Sequence, residues 1–149
     1  MSSACVLCVD DEALIRMMVA DCIDDLGLQS VEAGCGEEAL ELLEENDVSL
    51  LITDIRMGGM SGWEVARRAR AKRPDLPVIY ISGFPSEGKA LDDTIYLAKP
   101  FRPRDLQDAV LKTLFPVAGA KTYEGENFGF FFGVGRRFWL PDEPSLVYY

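Results

Sequence analysis

The 149-residue sequence contains no histidine. That absence excludes Ser-His-Asp triads, Cys-His nucleophile pairs and most zinc sites, and it excludes the chain as a phosphohistidine donor. Any phosphoryl group handled here comes from another molecule. No apolar run reaches the roughly 18 residues of a membrane span. The N-terminus MSSACVLCVDDEA also lacks the basic start and unbroken apolar core of a signal peptide. Nothing therefore directs the chain into or across a membrane, and the expected location is cytoplasmic. Cations are scarce: 15 Lys and Arg stand against 25 Asp and Glu, for a formal net charge of −10. A broad basic surface for neutralising nucleic-acid phosphates is missing, so a protein partner is expected rather than nucleic acid. Cysteine is sparse as well. Cys5 and Cys8 have a metal-like spacing, but no second pair follows. Residues three apart on a strand point to opposite faces, so core packing is the expected role of both.

The apolar share is 48 %, ample for one domain with an appendage. Up to about residue 115 short apolar runs alternate with helical stretches. Strands are expected at 4–9, 29–33, 49–53, 77–82 and 94–98. Between them, Ile15, Val19, Cys22, Ile23 and Leu26 share one helical face, and Ala39, Leu40 and Leu43 form a shorter stripe. Val65, Ala66 and Ala69 suit a third helix begun near Ser61 and stopped before Pro74. Leu106, Val110, Leu111 and Leu114 stripe a last helix introduced by Pro103. Right-handed crossovers between such elements give a doubly wound α/β domain with a five-stranded parallel sheet.

Asp10 and Asp11 follow CVLCV, Asp54 follows VSLLIT, and Lys99-Pro100 follows TIYLA. If these runs are parallel strands, their carboxyl ends share one edge, where open α/β sheets bind ligands. Three carboxylates there would repel one another and raise one another's pKa values unless a cation joined them. Mg2+ suits the set, because it takes oxygen ligands, keeps several waters and commonly uses one or two carboxylates plus phosphate oxygens. A carboxylate beside such a cation, Asp54, is a suitable nucleophile for an aspartyl-phosphate. Lys99 brings positive charge to the same edge, and Ser82, at the end of the fourth strand, brings a hydroxyl for a phosphoryl oxygen.

With VLCVDDE, LLITDIRMGGMSGWE, VIYISG and YLAKPF in order, residues 4 to about 115 resemble the receiver domain of two-component response regulators. The resemblance implies a flavodoxin-like sheet of strand order 2-1-3-4-5. It also implies Asp54 as phospho-acceptor, Asp11 and Asp54 as direct Mg2+ ligands, Asp10 acting through water, and the Arg56 carbonyl completing the protein's share. Lys99 and Ser82 would bind the phosphoryl group, Tyr96 would be an aromatic switch coupled to Ser82, and the Lys99-Pro100 bond would be cis. The implied donor is a histidine kinase or histidine phosphotransfer protein.

Two departures stand out. Gly58 replaces the proline usual after the loop's methionine, which should loosen that loop without touching chemistry. The gap from Ser82 to Lys99 is short, so the fourth helix is expected to be truncated or absent. YISGFP here resembles a receiver subgroup with a Phe-Ala-Thr-Gly-hydrophobic-Tyr consensus, whose members often act with HWE-type histidine kinases. The expected division is a receiver at 1–115 and an extension of unknown role at 116–149. That extension holds nine of the fifteen aromatic residues. FGFFF and RRFWL there suggest a hairpin, and the aromatic surface should pack on the face of the last two strands and last helix or on a second subunit, as in a homodimer.

The extension offers no helix-turn-helix, so the expectation is a single-domain regulator whose output is a downstream protein contact or phosphorelay. The alternatives are an aspartate-nucleophile phosphatase of the haloacid-dehalogenase type, which wants a second acid where Arg56 stands, and a degenerate receiver that only binds partners. The methionines are expected as core and loop filler, Trp63 as packing, and the run Arg67, Arg68, Arg70, Lys72, Arg73 as a solvated helix face.

Overall fold

The computed structural model describes residues 4–83, 94–115 and 136–139. In chain order these form β1 (Cys5–Val9), α1 (Ala13–Asp25), β2 (Gln29–Ala33), α2 (Gly36–Glu45), β3 (Val48–Asp54), α3 (Gly62–Lys72), β4 (Val78–Ser82), β5 (Thr94–Ala98), α4 (Pro103–Leu114) and β6 (Arg136–Trp139). The sheet order is β2-β1-β3-β4-β5-β6, parallel throughout. The expected five-stranded order is present, and β6 extends it by pairing with β5, Tyr96 opposite Phe138 and Leu97 opposite Trp139. The other arm of the expected hairpin, 128–132, and the expected shortened helix at 84–93 lie outside the described residues.

The strands read as continuous apolar runs because both sheet faces are covered. Cys5, Leu7, Val9, Leu51, Val78, Tyr80 and Tyr96 pack with α2 and α3 residues such as Leu43, Val65 and Ala69. Val6, Cys8, Leu50, Ile52, Ile79, Ile81, Ile95 and Leu97 meet Val19 and Ile23 of α1 and Leu106 and Val110 of α4. Each fully buried Leu or Ile contributes about 1.5–3 kcal/mol. Cys5 and Cys8 fall on opposite faces as free, buried thiols, with burial pushing the Cys8 thiol far up. Met57 and Met60 pack against the α2/α3 side and Met18 against the other, whereas Met17 is more than half exposed and is not core.

Helix ends follow local chemistry. The Ser61 hydroxyl accepts from the Glu64 backbone N–H at 3.3 Å and starts α3. Pro103 occupies the first turn of α4, where the Asp105 carboxylate accepts from the Arg102 backbone N–H at 2.9 Å. The cationic run on α3 is only partly a solvated face. Arg67 and Arg68 pair with Glu64, and Lys72 pairs with Glu44. Arg70 donates to the Leu76 carbonyl at 2.9 Å.

Arg73 turns inward, where its guanidinium donates to the carbonyls of Leu43 at 2.7 Å, Asn46 at 2.6 Å and Val48 at 2.9 Å. One planar fork thus satisfies backbone oxygens at the end of α2 and the start of β3. Arg73→Ala leaves these acceptors to water and should destabilise the fold by about 2 kcal/mol, with Arg73→Lys recovering only part, because an ammonium lacks the fork. Urea denaturation reads this directly, and an unchanged midpoint for Arg73→Ala would count against the clamp.

Candidate functional site

Because β2 lies on one side of β1 and β3 on the other, the order of the sheet reverses between β1 and β3, and the crevice opens above their carboxyl ends. Asp54 is the last residue of β3 and is 6 % exposed. Its Oδ1 accepts from the Ile55 backbone N–H at 2.9 Å and lies 3.7 Å from Lys99 Nζ. Asp10 follows β1 directly and is 3 % exposed. Its Oδ1 accepts from the Glu12 backbone N–H at 2.9 Å, and its Oδ2 lies 3.9 Å from the same Lys99 Nζ. Asp11 is exposed at the rim, and its Oδ2 accepts from the Gly58 backbone N–H at 3.2 Å. Asp10, Asp11 and Asp54 each offer a carboxylate oxygen within 4.8 Å of the others.

The remaining expected residues sit around this cluster. Ser82 ends β4, buried, and its carbonyl accepts from the Lys99 backbone N–H at 2.8 Å, so the two residues approach the same edge on hydrogen-bonded strands. The Lys99-Pro100 peptide bond is cis. Arg56 is exposed in the loop after β3. Tyr96 lies deeper along β5, buried on the α2/α3 side and opposite Tyr80 in the register. The structure therefore brings Asp10, Asp11, Asp54 and Lys99 together, sets Ser82 beside them, and holds Tyr96 in the core behind.

Electrostatics follow from burying like charges. Burial pushes the Asp10 carboxyl up to about 6, opposed by the Glu12 N–H and reinforced by the Asp54 charge. Burial likewise raises Asp54, while Lys99 and the Ile55 N–H pull it down without cancelling the rise. The cluster is thus an all-oxygen donor set with negative charge to spare, which fits a hard divalent cation such as Mg2+ and gives no ligand to a soft one.

Sequence reasoning missed three supports. Arg16 Nη1 donates to the Asp10 carbonyl at 2.8 Å, while its Nε lies 3.3 Å from a Glu32 carboxylate oxygen, tying the β1 end to β2. Gly62 donates its N–H to the Ile55 carbonyl at 2.9 Å, and a Cβ there would lie 2.0 Å from the Asp54 carbonyl oxygen. The third is the Gly58 N–H on Asp11. A glycine opening a helix just after a strand-end acid was a signal for Gly62. Nothing local foretold Arg16, whose contacts cross between strands.

A doubly wound α/β sheet with an acid-lined, lysine-capped crevice at its switch point defines a phosphoryl-handling class of protein. Residues 6–111 match the response regulator receiver domain, and the chain belongs to that family. It is 35 % identical over 114 residues to the response regulator receiver protein CpdR of Brucella abortus, covering 73 % of this chain and 95 % of that protein. Other relatives are longer, and the chain spans about half, 47 %, of one of them. Among solved structures, the chemotaxis protein CheY4 of Vibrio cholerae superposes with a TM-score of 0.71 at 31 % identity, over 76 % of this chain and all of that one. The response regulator TrrA of Thermotoga maritima, solved in complex with Mg2+-BeF, gives 0.68 at 33 % identity, over 74 % and 99 % of the two chains. As a receiver domain the chain is a phosphorylation-dependent signalling module of two-component systems, a family whose members bind Mg2+ at the acidic pocket and interact with histidine kinases and phosphotransfer proteins. Among the described residues no helix is long and apolar enough to cross a membrane.

Two predictions test the site. Gly62→Ala forces the β3 end or the first turn of α3 to move and should cost about 1–3 kcal/mol in denaturant unfolding, together with a weakened response to Mg2+. A variant as stable as the parent would show that the contact relaxes freely. The second concerns pH. Asp10 is a weaker acid folded, at about 6, than unfolded, near 3.8, so across that interval the folded metal-free chain binds the extra proton. Its stability therefore falls as pH rises through this window, with Asp54 adding in the same direction. In chelator, Tm should be higher at pH 5 than at pH 7, and saturating Mg2+, which requires deprotonated ligands, should shrink or reverse the difference. A flat profile in chelator would contradict the buried-charge account.

Proposed function

We propose that Asp54 is the phospho-acceptor of a receiver spanning 1–115, with 116–149 as an extension. Mg2+ would be held by Asp11 and Asp54 directly, by Asp10 through water and by the Arg56 carbonyl. The observation that carries this reading is Asp54 itself: a buried strand-end carboxylate beside two further acids, with an ammonium 3.7 Å away. The cation would supply charge compensation for the incoming phosphoryl group.

The chain's own residues perform the rest. An Asp54 oxygen forms the bond to phosphorus as the bond from phosphorus to the donor's histidine nitrogen breaks, the nitrogen keeping the electron pair. The Ile55 N–H and Lys99 hold the other carboxylate oxygen, Oδ1, leaving its mate to attack. After transfer, Lys99 and the Ser82 hydroxyl engage the phosphoryl oxygens. Because Lys99 and Ser82 are joined through their backbones, that engagement biases β4 and β5 together, with Tyr96 as the packed aromatic that follows.

The donor is a histidine kinase or histidine phosphotransfer protein, since the chain has no histidine of its own. Leu14, 81 % exposed, and Met17, 53 % exposed, lie on α1 just past the acidic pair and offer the donor an apolar footing. Output passes to a downstream protein or a further phosphotransfer partner in the cytoplasm. The haloacid-dehalogenase reading finds no support, because Arg56 stands where that chemistry wants an acid.

Incubation with a small-molecule phosphodonor and Mg2+, followed by intact mass and site mapping, tests this reading. One phosphoryl group on Asp54 is expected, abolished by chelator and by Asp54→Asn. Undiminished Mg2+-dependent labelling of Asp54→Asn would remove Asp54 from its role, and no labelling of the parent would leave the degenerate, binding-only receiver.

A further inference from the structure

Gly58 stands where the resemblance to receivers leads one to expect proline, and its expected effect was confined to loop flexibility. The structure gives it a chemical one. Its backbone N–H donates to Asp11 Oδ2 at 3.2 Å, a contact across 47 residues that joins the loop after β3 to the loop after β1 directly over the crevice. Proline has no N–H, so a chain with proline here cannot make this bond.

We propose that the Gly58 N–H is a positioning group for the cation site, holding the Asp11 carboxylate toward Asp54 before any metal arrives. Asp11 is the exposed member of the acidic set, whereas Asp10 and Asp54 are buried. An exposed aspartate beside two negative charges is repelled outward into water and has rotamer freedom to go there. One oxygen tied to Gly58 removes that freedom and leaves the other oxygen available to a cation. Partners of metal ligands commonly act in this way, orienting the ligand at a distance of one bond.

The geometry also says which residues could replace Gly58. A Cβ at this position meets nothing within 4 Å, and its φ lies outside the left-handed region, so alanine fits without strain and keeps the N–H. Gly58→Ala and Gly58→Pro thus separate the hydrogen bond from the looseness of glycine.

This inference rests on the proposed Mg2+ site, and the experiment keeps the two apart. Mg2+ affinity of the full chain is measured by calorimetry for the parent, Gly58→Ala and Gly58→Pro, and amide exchange at Gly58 is followed by NMR in the metal-free parent and in Asp11→Ala. Gly58→Pro should bind Mg2+ about tenfold more weakly, the low end of what losing a ligand's partner costs, while Gly58→Ala stays near the parent. The Gly58 amide should be protected in the parent and lose that protection in Asp11→Ala. A Gly58→Pro protein that binds as tightly as the parent overturns the inference, as does an equal loss in Gly58→Ala, which would assign the effect to flexibility. If Gly58→Pro does not fold, amide protection decides: an unprotected Gly58 overturns the inference, and protection that depends on Asp11 sustains it. A parent that binds no Mg2+ overturns the proposed metal site, and this inference with it.

Discussion

Everything at the working edge of this protein depends on keeping three carboxylates close together in a place that is half out of water. Asp10, Asp11 and Asp54 offer oxygens within 4.8 Å of one another, and two of the three are buried. Like charges so placed repel strongly, more so as the surrounding dielectric falls. The fold opposes the repulsion with Lys99, whose ammonium lies near both Asp10 and Asp54, and with backbone N–H groups from Glu12, Ile55 and Gly58, one for each acid. Burial adds to the cost of ionising these acids and pushes the Asp10 and Asp54 carboxyls up. The site is therefore held in a state that additional positive charge relieves, and its response to a cation follows from that tension.

The scaffold bears the strain because the charged groups are fixed from different elements. Asp10 is fastened from behind by Arg16 and by its own N–H to the Ala33 carbonyl at 3.2 Å, Asp54 by the start of α3 through Gly62, and Lys99 by the Ser82 carbonyl. Away from the crevice, Arg73 performs a similar task for the opposite end of β3. Arg16 and Arg73 do this from side chain to backbone and the others from backbone to backbone, and all of them join separate elements at the ends of the strands. The apolar layers supply most of the stability, while these few polar bonds determine where the charged groups stand.

Much of this was legible in the sequence. Apolar runs ended by Asp10-Asp11, Asp54 and Lys99 located the site, because a parallel sheet gathers strand ends by construction. The helix stripes on the α1 side followed from periodicity, except that Leu111, expected on the last helix's apolar face, is exposed, and the free cysteines fell on opposite faces as expected. What escaped was whatever depends on distant backbone atoms. Arg73 reads from sequence as part of a solvated helix face and Arg16 carries no local signal, yet the guanidinium groups of both meet carbonyls from other elements. Gly58 looked like a loss of stiffness, because sequence shows the missing ring and not the N–H gained in its place. The pairing of β6 with β5 escaped because β5 lies about forty residues away in the chain, and four residues carry too little periodicity to choose a neighbour.

One contact in the core makes this chain its own instrument. The rings of Trp63 and Tyr80 lie with centroids 4.5 Å apart and planes tilted by 59°. Trp63 directly follows the glycine that abuts the Asp54 carbonyl, and Tyr80 precedes Ser82 by two residues on β4. The indole and the phenol thus ride on the two segments flanking the acceptor. Indole emission responds to the packing and polarity around the ring, so a displacement of α3 against β4 alters the light from Trp63 without any label being attached.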